Sequence, residues 1–317
     1  MELEFLQRLR SQIPVSRPDV LLGIGDDAAI LGTSGETVLT VDLLTEGVDF
    51  LLEQADPVLI GRKALAVNLS DLAAMAAVPT AILIAVALPN TSRKTAVGRL
   101  SPLELGEKLL TGIRTLAGQY NVAIIGGDTN TWDGGLVLSI TAIGRATEHG
   151  VTQRDGARPG DHIFVTGPLG GSLLRNQFTF EPRVREALHL NAHYDIHAAM
   201  DISDGLSLDL ARLVAESGCG AVLREAAIPV SGDAKRMNDA MTPLEHALYD
   251  GEDFELLFTV SPQTAAVLLR EQPLANPLYE IGGITTAEHV SIRILTQDGA
   301  LRDHEPKGFV HETPAAR

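Results

Sequence analysis

The sequence of 317 residues predicts a mixed α/β (α+β) fold in two domains. Three observations support this prediction. Short apolar segments typical of strands alternate with two long segments typical of helices. Hydrophobic residues make up 45% of the chain, which is enough to fill real cores. The stretch from Arg145 to Asp161 is polar and rich in turn-forming residues. We therefore expect an N-terminal domain at 1–150 and a C-terminal domain at 151–317.

Hydrophobic spacing and helix breakers place the individual elements. Proline at position 57 opens a long apolar helix, and the segment 101–118 has leucines at near-helical spacing. In the first half we predict helices at 2–12, 58–77 and 101–118, and strands at 20–24, 37–41, 81–88, 122–125 and 136–143. In the second half we predict helices after 172, within 177–200, and at 206–217, 243–248 and 262–271, and strands at 162–166, around 222, and at 228–230, 254–260, 279–284 and 290–295.

The charge balance limits the possible partners. The chain has 25 Lys and Arg against 41 Asp and Glu, a net charge of −16. Such an acidic surface disfavours nucleic acids and anionic membranes as partners. An anionic substrate would therefore need metal ions or local basic residues to hold it.

Cysteine usage and the N-terminus indicate a cytoplasmic protein. Cys219 is the one cysteine, so a disulfide or a cysteine zinc site within one chain is excluded. The N-terminus does not have the pattern of a signal peptide. The longest apolar run, 81–88, is too short to span a bilayer and is predicted to be a buried strand.

Aspartates recur where apolar runs end. Asp26 and Asp27 are adjacent on a glycine-rich turn, where two like charges 4 Å apart repel by roughly 4 kcal/mol at an effective dielectric near 20. A lone aspartate is more often a turn or cap residue, but six acidic sites of similar form favour a common role. We hypothesise that they converge around several Mg²⁺ ions that hold a polyphosphate. The sites end at Asp27, Asp42, Asp71, Asp128, Asp204 and Asp253.

The first acidic turn also matches a dinucleotide-binding fingerprint, Gly23-x-Gly25-x-x-Ala28, with Asp42 about 20 residues further on. That fingerprint needs a helix whose N-terminal amides face a pyrophosphate. Two carboxylates in the turn would repel the phosphates, and the residues that follow are poor helix formers. The metal-binding hypothesis is therefore favoured over the dinucleotide one.

Other motifs have plain structural explanations. Asp71 shares a helix face with Lys63 and Asn68, so a structural hydrogen-bonded group remains an alternative to a metal ligand. The loop 167–172 lacks the Gly-Lys-Ser/Thr of a Walker A motif and is better explained as a strand-to-helix turn than as a phosphate cradle. His189, His193 and His197 are four residues apart and indicate a solvated helix face rather than a zinc site.

Taken together, the acidic segments resemble the thiamine-monophosphate kinase family, in the superfamily of ATP-binding enzymes that includes aminoimidazole ribonucleotide synthetase. The matching segments occur in the order of the family. They are Gly23-Ile24-Gly25-Asp26-Asp27-Ala28, the helix segment 63–75, Ile125-Gly126-Gly127-Asp128-Thr129, Asp201-Ile202-Ser203-Asp204-Gly205-Leu206, Gly251-Glu252-Asp253-Phe254-Glu255-Leu256 and Lys307-Gly308-Phe309.

The resemblance implies a homodimer whose N-terminal domains pair through their sheets, with ATP in a cleft near that interface. It implies transfer of the γ-phosphoryl group of ATP to thiamine monophosphate, with catalytic roles for Asp71, Asp128 and Asp204. It implies ATP contacts from Asp128, Arg154 and Ser203, and thiamine contacts from Asp49, Glu252 and Phe309. The implied Mg²⁺ ligands are Asp27, Thr40, Val41 (through its carbonyl), Asp42, Asp71, Asp128, Asp201 and Asp204.

The sequence departs from the family pattern at several of these positions. Thr40-Val41-Asp42 replaces Ser-Thr-Asp, Asp49 replaces a common histidine, and Phe309 replaces tryptophan or tyrosine. Val310-His311-Glu312 replaces the usual Asp-His-Phe. Two alternatives stay open: a related enzyme of the same superfamily with another phosphorylated or carboxylated substrate, and a non-catalytic protein that binds divalent metals.

Overall fold

The computed structural model describes residues 20–22, 29–33, 35–174, 176–287 and 292–310. The predicted helix at 2–12, the acidic turn with Asp27, and the C-terminal residues His311 and Glu312 lie outside the described residues. None of the described helices is long and apolar enough to cross a membrane.

The N-terminal half is a six-stranded sheet covered on one face by two long helices. The strands follow one another across the sheet in the order β1-β2-β3-β8-β4-β7, and β5 and β6 form a separate hairpin. The elements are β1 (Val20–Leu22), β2 (Ala29–Thr33), β3 (Gly35–Thr45), α1 (Pro57–Ala74), β4 (Val78–Pro89), β5 (Arg93–Thr95), β6 (Gly98–Leu100), α2 (Pro102–Tyr120), β7 (Ala123–Trp132) and β8 (Val137–Arg145).

Both long helices begin with strong local signals. Proline occupies the first turn of each, where its missing N–H costs nothing. The Asp56 side chain caps α1, and Ser101 with Glu104 forms a capping box at the start of α2. These signals explain why the sequence predicts the two helices well, with ends that differ from the prediction by at most three residues.

The C-terminal half contains a seven-stranded sheet in the order β10-β12-β9-β13-β11-β14-β15, flanked by shorter helices. The elements are β9 (His162–Val165), α3 (Asn176–Thr179), α4 (Val184–His193), β10 (Ile196–Asp201), α5 (Leu206–Glu216), β11 (Cys219–Arg224), α6 (Pro243–Tyr249), β12 (Leu256–Val260), α7 (Pro262–Glu271), β13 (Tyr279–Thr286), β14 (Ile292–Leu295) and β15 (Leu301–His304).

Helix α1 lies between the two halves and is buried on nearly all sides. It packs against α2 and β3 of the N-terminal half and against α3, α4 and β10 of the C-terminal half. A helix that is apolar all round is suited to this central position. The segment that joins the halves is also fastened to it, because the Thr152 hydroxyl donates to the Ala74 carbonyl at 2.6 Å. Residues carried by α1 can therefore contact either half.

The mixed α/β fold predicted from the sequence is confirmed, with several local corrections. Strand β3 continues past Asp42 to Thr45, and β7 continues past Asp128 to Trp132, so both aspartates lie within strands rather than at strand ends. The predicted strand at 228–230 is wrong, since Val230 makes a single bridge to Leu169. His197 lies in β10 rather than on the helix that carries His189 and His193.

Strand β2 argues against the dinucleotide alternative. The dinucleotide fingerprint must open a helix. Residues Ala29–Thr33, which follow the glycine-rich turn, instead form a strand paired antiparallel with β3. Among the described residues, a strand therefore stands where the dinucleotide fingerprint would need a helix N-terminus to face the pyrophosphate.

Candidate active site

The C-terminal half of α1 connects two of the predicted acidic residues to different parts of the protein. The Thr40 hydroxyl of β3 donates a hydrogen bond to the Asp71 carboxylate. The adjacent Ser70 hydroxyl donates to the Asp201 carboxylate at 2.6 Å. Because Ser70 and Asp71 are consecutive on α1, the helix holds the end of β10 beside β3. Asp71 and Asp201, which the sequence separates widely, are thereby brought to one region.

Helix α1 also carries the buried Lys63, which lies eight residues before Asp71. With a rise of 1.5 Å per residue, this spacing is about 12 Å along the helix axis. Three oxygens surround the Lys63 ammonium: Glu252 Oε2 at 2.6 Å, Gln177 Oε1 at 2.9 Å and the Asp49 carbonyl at 3.0 Å. We call Asp49, Lys63, Gln177 and Glu252 the Lys63 cluster. It unites Asp49 and Glu252, both of which the resemblance assigned to thiamine.

Backbone hydrogen bonds fasten Glu252 and Phe309 to the acidic segment after β10. The Glu252 amide donates to the Ser203 carbonyl at 2.8 Å, and the Phe309 amide donates to the Asp204 carbonyl at 2.9 Å. The Asp204 carboxylate in turn receives a hydrogen bond from Arg212 at 2.5 Å. Ser203 and Asp204 thus lie beside the residues expected to contact thiamine.

The registers place Asp42 and Asp128 on opposite faces of the N-terminal sheet. Asp128 of β7 pairs with Ala85 of β4, and Ala85 pairs with Ser139 of β8. Ser139 in turn pairs with Leu43 of β3, so these four residues form one row across the sheet. Side chains alternate along a strand, so Asp128 belongs to the face of Leu43 and not to the face of its neighbour Asp42. The Asp42 face carries Thr40 and packs on α1, while Leu43 is 62% exposed. Within one chain, therefore, Asp128 does not share a sheet face with Thr40 and Asp42.

A cavity of about 480 Å³ lies between α2 and the edge strand β7. Its walls are mainly apolar, and Gly127 and Asp128 form part of its rim. The sequence analysis did not identify this cavity, because its lining comes from one helix and three strands that no local pattern brings together. The residues on the helix side include Leu103, Gly106 and Leu110.

Val41 and Arg154 do not line this cavity. Val41 is 62% exposed, on the face of the sheet opposite to Thr40. Arg154 lies in the segment that runs beside β10, where the Gln153 carbonyl accepts from the Ala199 amide, and its own carbonyl accepts from Ser217 Oγ at 2.7 Å.

The loop 167–172 uses its amides within the protein. The Gly170 amide donates to both carboxylate oxygens of Asp253, and the Gly171 amide donates to Asp250. Burial raises the pKa of Asp253 to about 7, although hydrogen bonds from Ser172 and Gly170 oppose this rise. This arrangement supports the prediction of a turn rather than a phosphate cradle.

The donor set fits a hard cation better than a transition metal. The predicted ligands are carboxylate, hydroxyl and carbonyl oxygens, which Mg²⁺ prefers. Among the described residues, no three His, Cys, Asp or Glu side chains stand close enough together to hold a metal. Mg²⁺ commonly takes one or two carboxylates and completes its shell with water and substrate phosphates, so pairs such as Thr40 with Asp71 suit it.

Sequence reasoning missed the contacts that Lys63, Ser70 and Gln177 make. Lys63 and Ser70 are seven residues apart, which places them on the same side of a helix that also carries Asp71. This spacing was a usable signal for both. Gln177 carries no such signal, because its contact with Lys63 arises from the packing of α3 on α1.

Comparison with known proteins identifies the family of the chain. Residues 25–146 match the family model "AIR synthase related protein, N-terminal domain", and residues 158–294 match the corresponding C-terminal domain. The chain is 40% identical to the thiamine-monophosphate kinase of Rhodopirellula baltica, over 100% of this chain and 99% of the relative. It is 31% identical to the enzyme of the same name from Bacillus subtilis, over 94% and 95%.

Solved structures give the same result. AaThiL complexed with AMPPCP and TMP aligns with a TM-score of 0.79 and 27% identity, covering 97% of this chain and 96% of that chain. The thiamine-monophosphate kinase from Stenotrophomonas maltophilia aligns with a TM-score of 0.70 and 34% identity, over 92% and 95%. The protein therefore belongs to the AIR synthase related family and, within it, to the thiamine-monophosphate kinases.

Proposed function

We propose that this protein transfers the γ-phosphoryl group of ATP to the phosphate of thiamine monophosphate, forming thiamine diphosphate and ADP. The observation that carries the proposal is the full-length similarity to thiamine-monophosphate kinases, together with the similarity to AaThiL complexed with AMPPCP and TMP. The Lys63 cluster adds a geometric argument, since it unites two positions expected to contact thiamine.

The cavity beside Asp128 is our proposed site for the nucleoside of ATP. Its volume of about 480 Å³ is sufficient for an adenine and ribose, and its apolar walls suit a planar base. Gly126 and Gly127 on its rim allow the backbone to approach a phosphate closely. Asp128 would then lie near the polyphosphate, with Arg154 and Ser203 as further contacts.

The protein needs divalent cations because it is strongly acidic and both substrates are anions. We propose that Thr40, Asp42, Asp71, Asp201 and Asp204 hold Mg²⁺, together with Asp27, Asp128 and the carbonyl of Val41. Mg²⁺ held by these residues would supply positive charge that neutralises the phosphates. The side chains themselves position the two phosphates and exclude water.

Little acid–base chemistry is required of the protein. The acceptor phosphate is already ionised, so one of its oxygens can attack the γ-phosphorus of ATP directly. The bond between the γ-phosphorus and the bridging oxygen of the β-phosphate breaks, and ADP leaves with that oxygen. Phosphoryl transfer of this kind depends mainly on positioning and on charge stabilisation. A site built from aspartates, without a histidine or cysteine among its proposed members, is sufficient for that reaction.

We further propose that the protein is a homodimer joined through the uncovered face of the N-terminal sheet. This face carries Val41 and Leu43 of β3 and Leu83 of β4, which are 62%, 62% and 40% exposed. Strand β8 lies between these two strands, and the registers align Val41 with Leu83 across it. Exposed apolar patches of this kind are typical of protein interfaces. The side chain of Asp128 belongs to the same face, whereas the cavity lies on the face covered by α2, so a second copy would lie close to Asp128.

The dimer proposal has a direct test. Leu43→Glu would bury a charge in the proposed interface, and light scattering should then show a monomer where the unchanged protein is a dimer. A dimer of unchanged strength would rule out this face. We also propose a cytoplasmic location, where ATP is available and the free, buried Cys219 stays reduced.

One assay tests the proposed activity. The purified protein is incubated with ATP, Mg²⁺ and thiamine monophosphate, and the products are measured by chromatography. Thiamine diphosphate and ADP should form in equal amounts. Thiamine without its phosphate serves as the control acceptor and should give no diphosphate. Absence of thiamine diphosphate in the complete mixture would refute the proposal.

A further inference from the structure

Lys63 is a buried cation in a protein whose substrates are anions. We propose that Lys63 is a positioning residue that holds Glu252 and the Asp49 turn together across the two halves, as an anionic site for the thiazolium cation of thiamine. This inference rests on the proposed function, because it concerns the acceptor site of the same reaction.

The surroundings of Lys63 exclude a direct role in phosphate binding. Its side chain is 1% exposed, and an ammonium has three hydrogens to donate. The Gln177 side chain and the Asp49 carbonyl accept hydrogen bonds from it at 2.9 and 3.0 Å, and Glu252 Oε2 forms an ion pair with it at 2.6 Å. The ring of Phe178 lies 5.4 Å from the nitrogen and closes another side. Lys63 therefore acts through the residues that surround it.

Glu252 has a conformation that needs such support. Its φ is 60°, and those of Gly251 and Phe254 are 71° and 51°. Left-handed conformations of non-glycine residues cost of order 1 kcal/mol each and persist where surrounding contacts hold them. The bond to Ser203 fixes the Glu252 backbone, and Lys63 fixes its carboxylate. The loop is thus held from both halves of the protein.

The charge of Lys63 also affects the protonation of Glu252. Burial raises the pKa of the Glu252 carboxyl, the Lys63 ammonium opposes that rise, and Asp49 and Asp204 add to it. Without Lys63, the carboxylate would be left among like charges and would take up a proton more readily. The paired atom, Oε2, is buried, whereas the Glu252 side chain is 25% exposed, so part of the side chain remains accessible to a ligand.

Steady-state kinetics of variants at Lys63 and Glu252 tests the proposal. Lys63→Met removes the charge at similar size and should raise the KM for thiamine monophosphate at least 10-fold while the KM for ATP stays within about 2-fold. The low-pH limb of kcat/KM for thiamine monophosphate should move upward by about one pH unit, the usual effect of losing a close counter-charge. Lys63→Arg should restore part of the loss.

Glu252→Gln tests whether Lys63 changes the KM for thiamine monophosphate through Glu252. If Lys63 acts through Glu252, adding Lys63→Met to Glu252→Gln should raise the KM for thiamine monophosphate by less than 3-fold. This double variant also buries no unpaired carboxylate, so it keeps the test valid if Lys63→Met alone unfolds. The exposed pair of Lys94 and Glu53, 2.9 Å apart, supplies a control, since Lys94→Met should leave all constants unchanged.

The outcomes separate this inference from the proposed function. Suppose that the wild-type protein is active and that folded Lys63→Met has the same KM for thiamine monophosphate and the same pH profile. This result overturns the role of Lys63 and leaves the proposed function standing. Equal losses for ATP and for thiamine monophosphate also overturn this role, because they indicate a general structural effect. A wild-type protein that makes no thiamine diphosphate overturns the proposed function and this inference with it.

Discussion

Helices α1 and α2 approach so closely at two glycines that adding one methyl group there should clearly lower the stability of the protein. A Cβ added at Gly61 would lie 2.0 Å from the Leu109 carbonyl oxygen, and one added at Gly112 would lie 1.9 Å from the Val58 carbonyl oxygen. Both obstacles are backbone atoms, which cannot rotate away. The helices would have to separate by about 1 Å to bring either contact to 3.0 Å.

The magnitude follows from two opposing effects. Alanine is favoured over glycine inside a helix by about 1 kcal/mol, whereas overpacking of a tight interface costs about 1–3 kcal/mol and occasionally more. Because the clash is with the main chain, we expect the upper end of that range and a net loss of about 2 kcal/mol for Gly61→Ala. Activity should fall too, since α1 carries Lys63, Ser70 and Asp71.

Urea unfolding followed by circular dichroism measures this effect, and α2 supplies the control. Gly118 lies near the end of the same helix as Gly112, with nothing within 4 Å of an added Cβ. Gly118→Ala should therefore stabilise the protein by up to about 1 kcal/mol through helix propensity. If Gly61→Ala is as stable as the unchanged protein, the described closeness of the two helices is wrong.

Three further predictions concern the site and its titratable groups. Asp71→Asn should lower kcat/KM on the order of 100-fold with an unchanged fold, whereas Asp298→Asn, on an exposed turn, should have no effect; equal activities would exclude Asp71 from the site. Asp253, at 3% exposed, has a pKa raised by burial to about 7, so its contribution to stability is present below about pH 4 and is lost as the pH rises through 7. Asp253→Asn should therefore flatten the pH dependence of urea unfolding in that window, and an unchanged slope would contradict the assignment. Burial raises the pKa of the Cys219 thiol to about 11, so a thiol reagent at pH 8 should label it only after unfolding; rapid labelling of the folded protein would show that it is accessible.

Local chemistry determined much of this protein from the sequence alone. The two long helices follow from proline, cap residues and apolar spacing within each segment. The ordered acidic segments were sufficient to indicate the family, which the comparisons then confirmed. The strand that ends at Asp201 was not predicted, because the segment within 177–200 was expected to be helical.

The tertiary structure decided how these segments meet. Strands β3 and β7 continue past Asp42 and Asp128 because β8 and β4 offer backbone partners there, and such pairing between distant segments is not encoded by local pattern. The same registers place the two aspartates on opposite faces of the sheet. Lys63 meets Glu252 only because α1 packs between the two halves of the chain. The sequence names the charged groups, but the free energy of burying α1 determines which of them become neighbours.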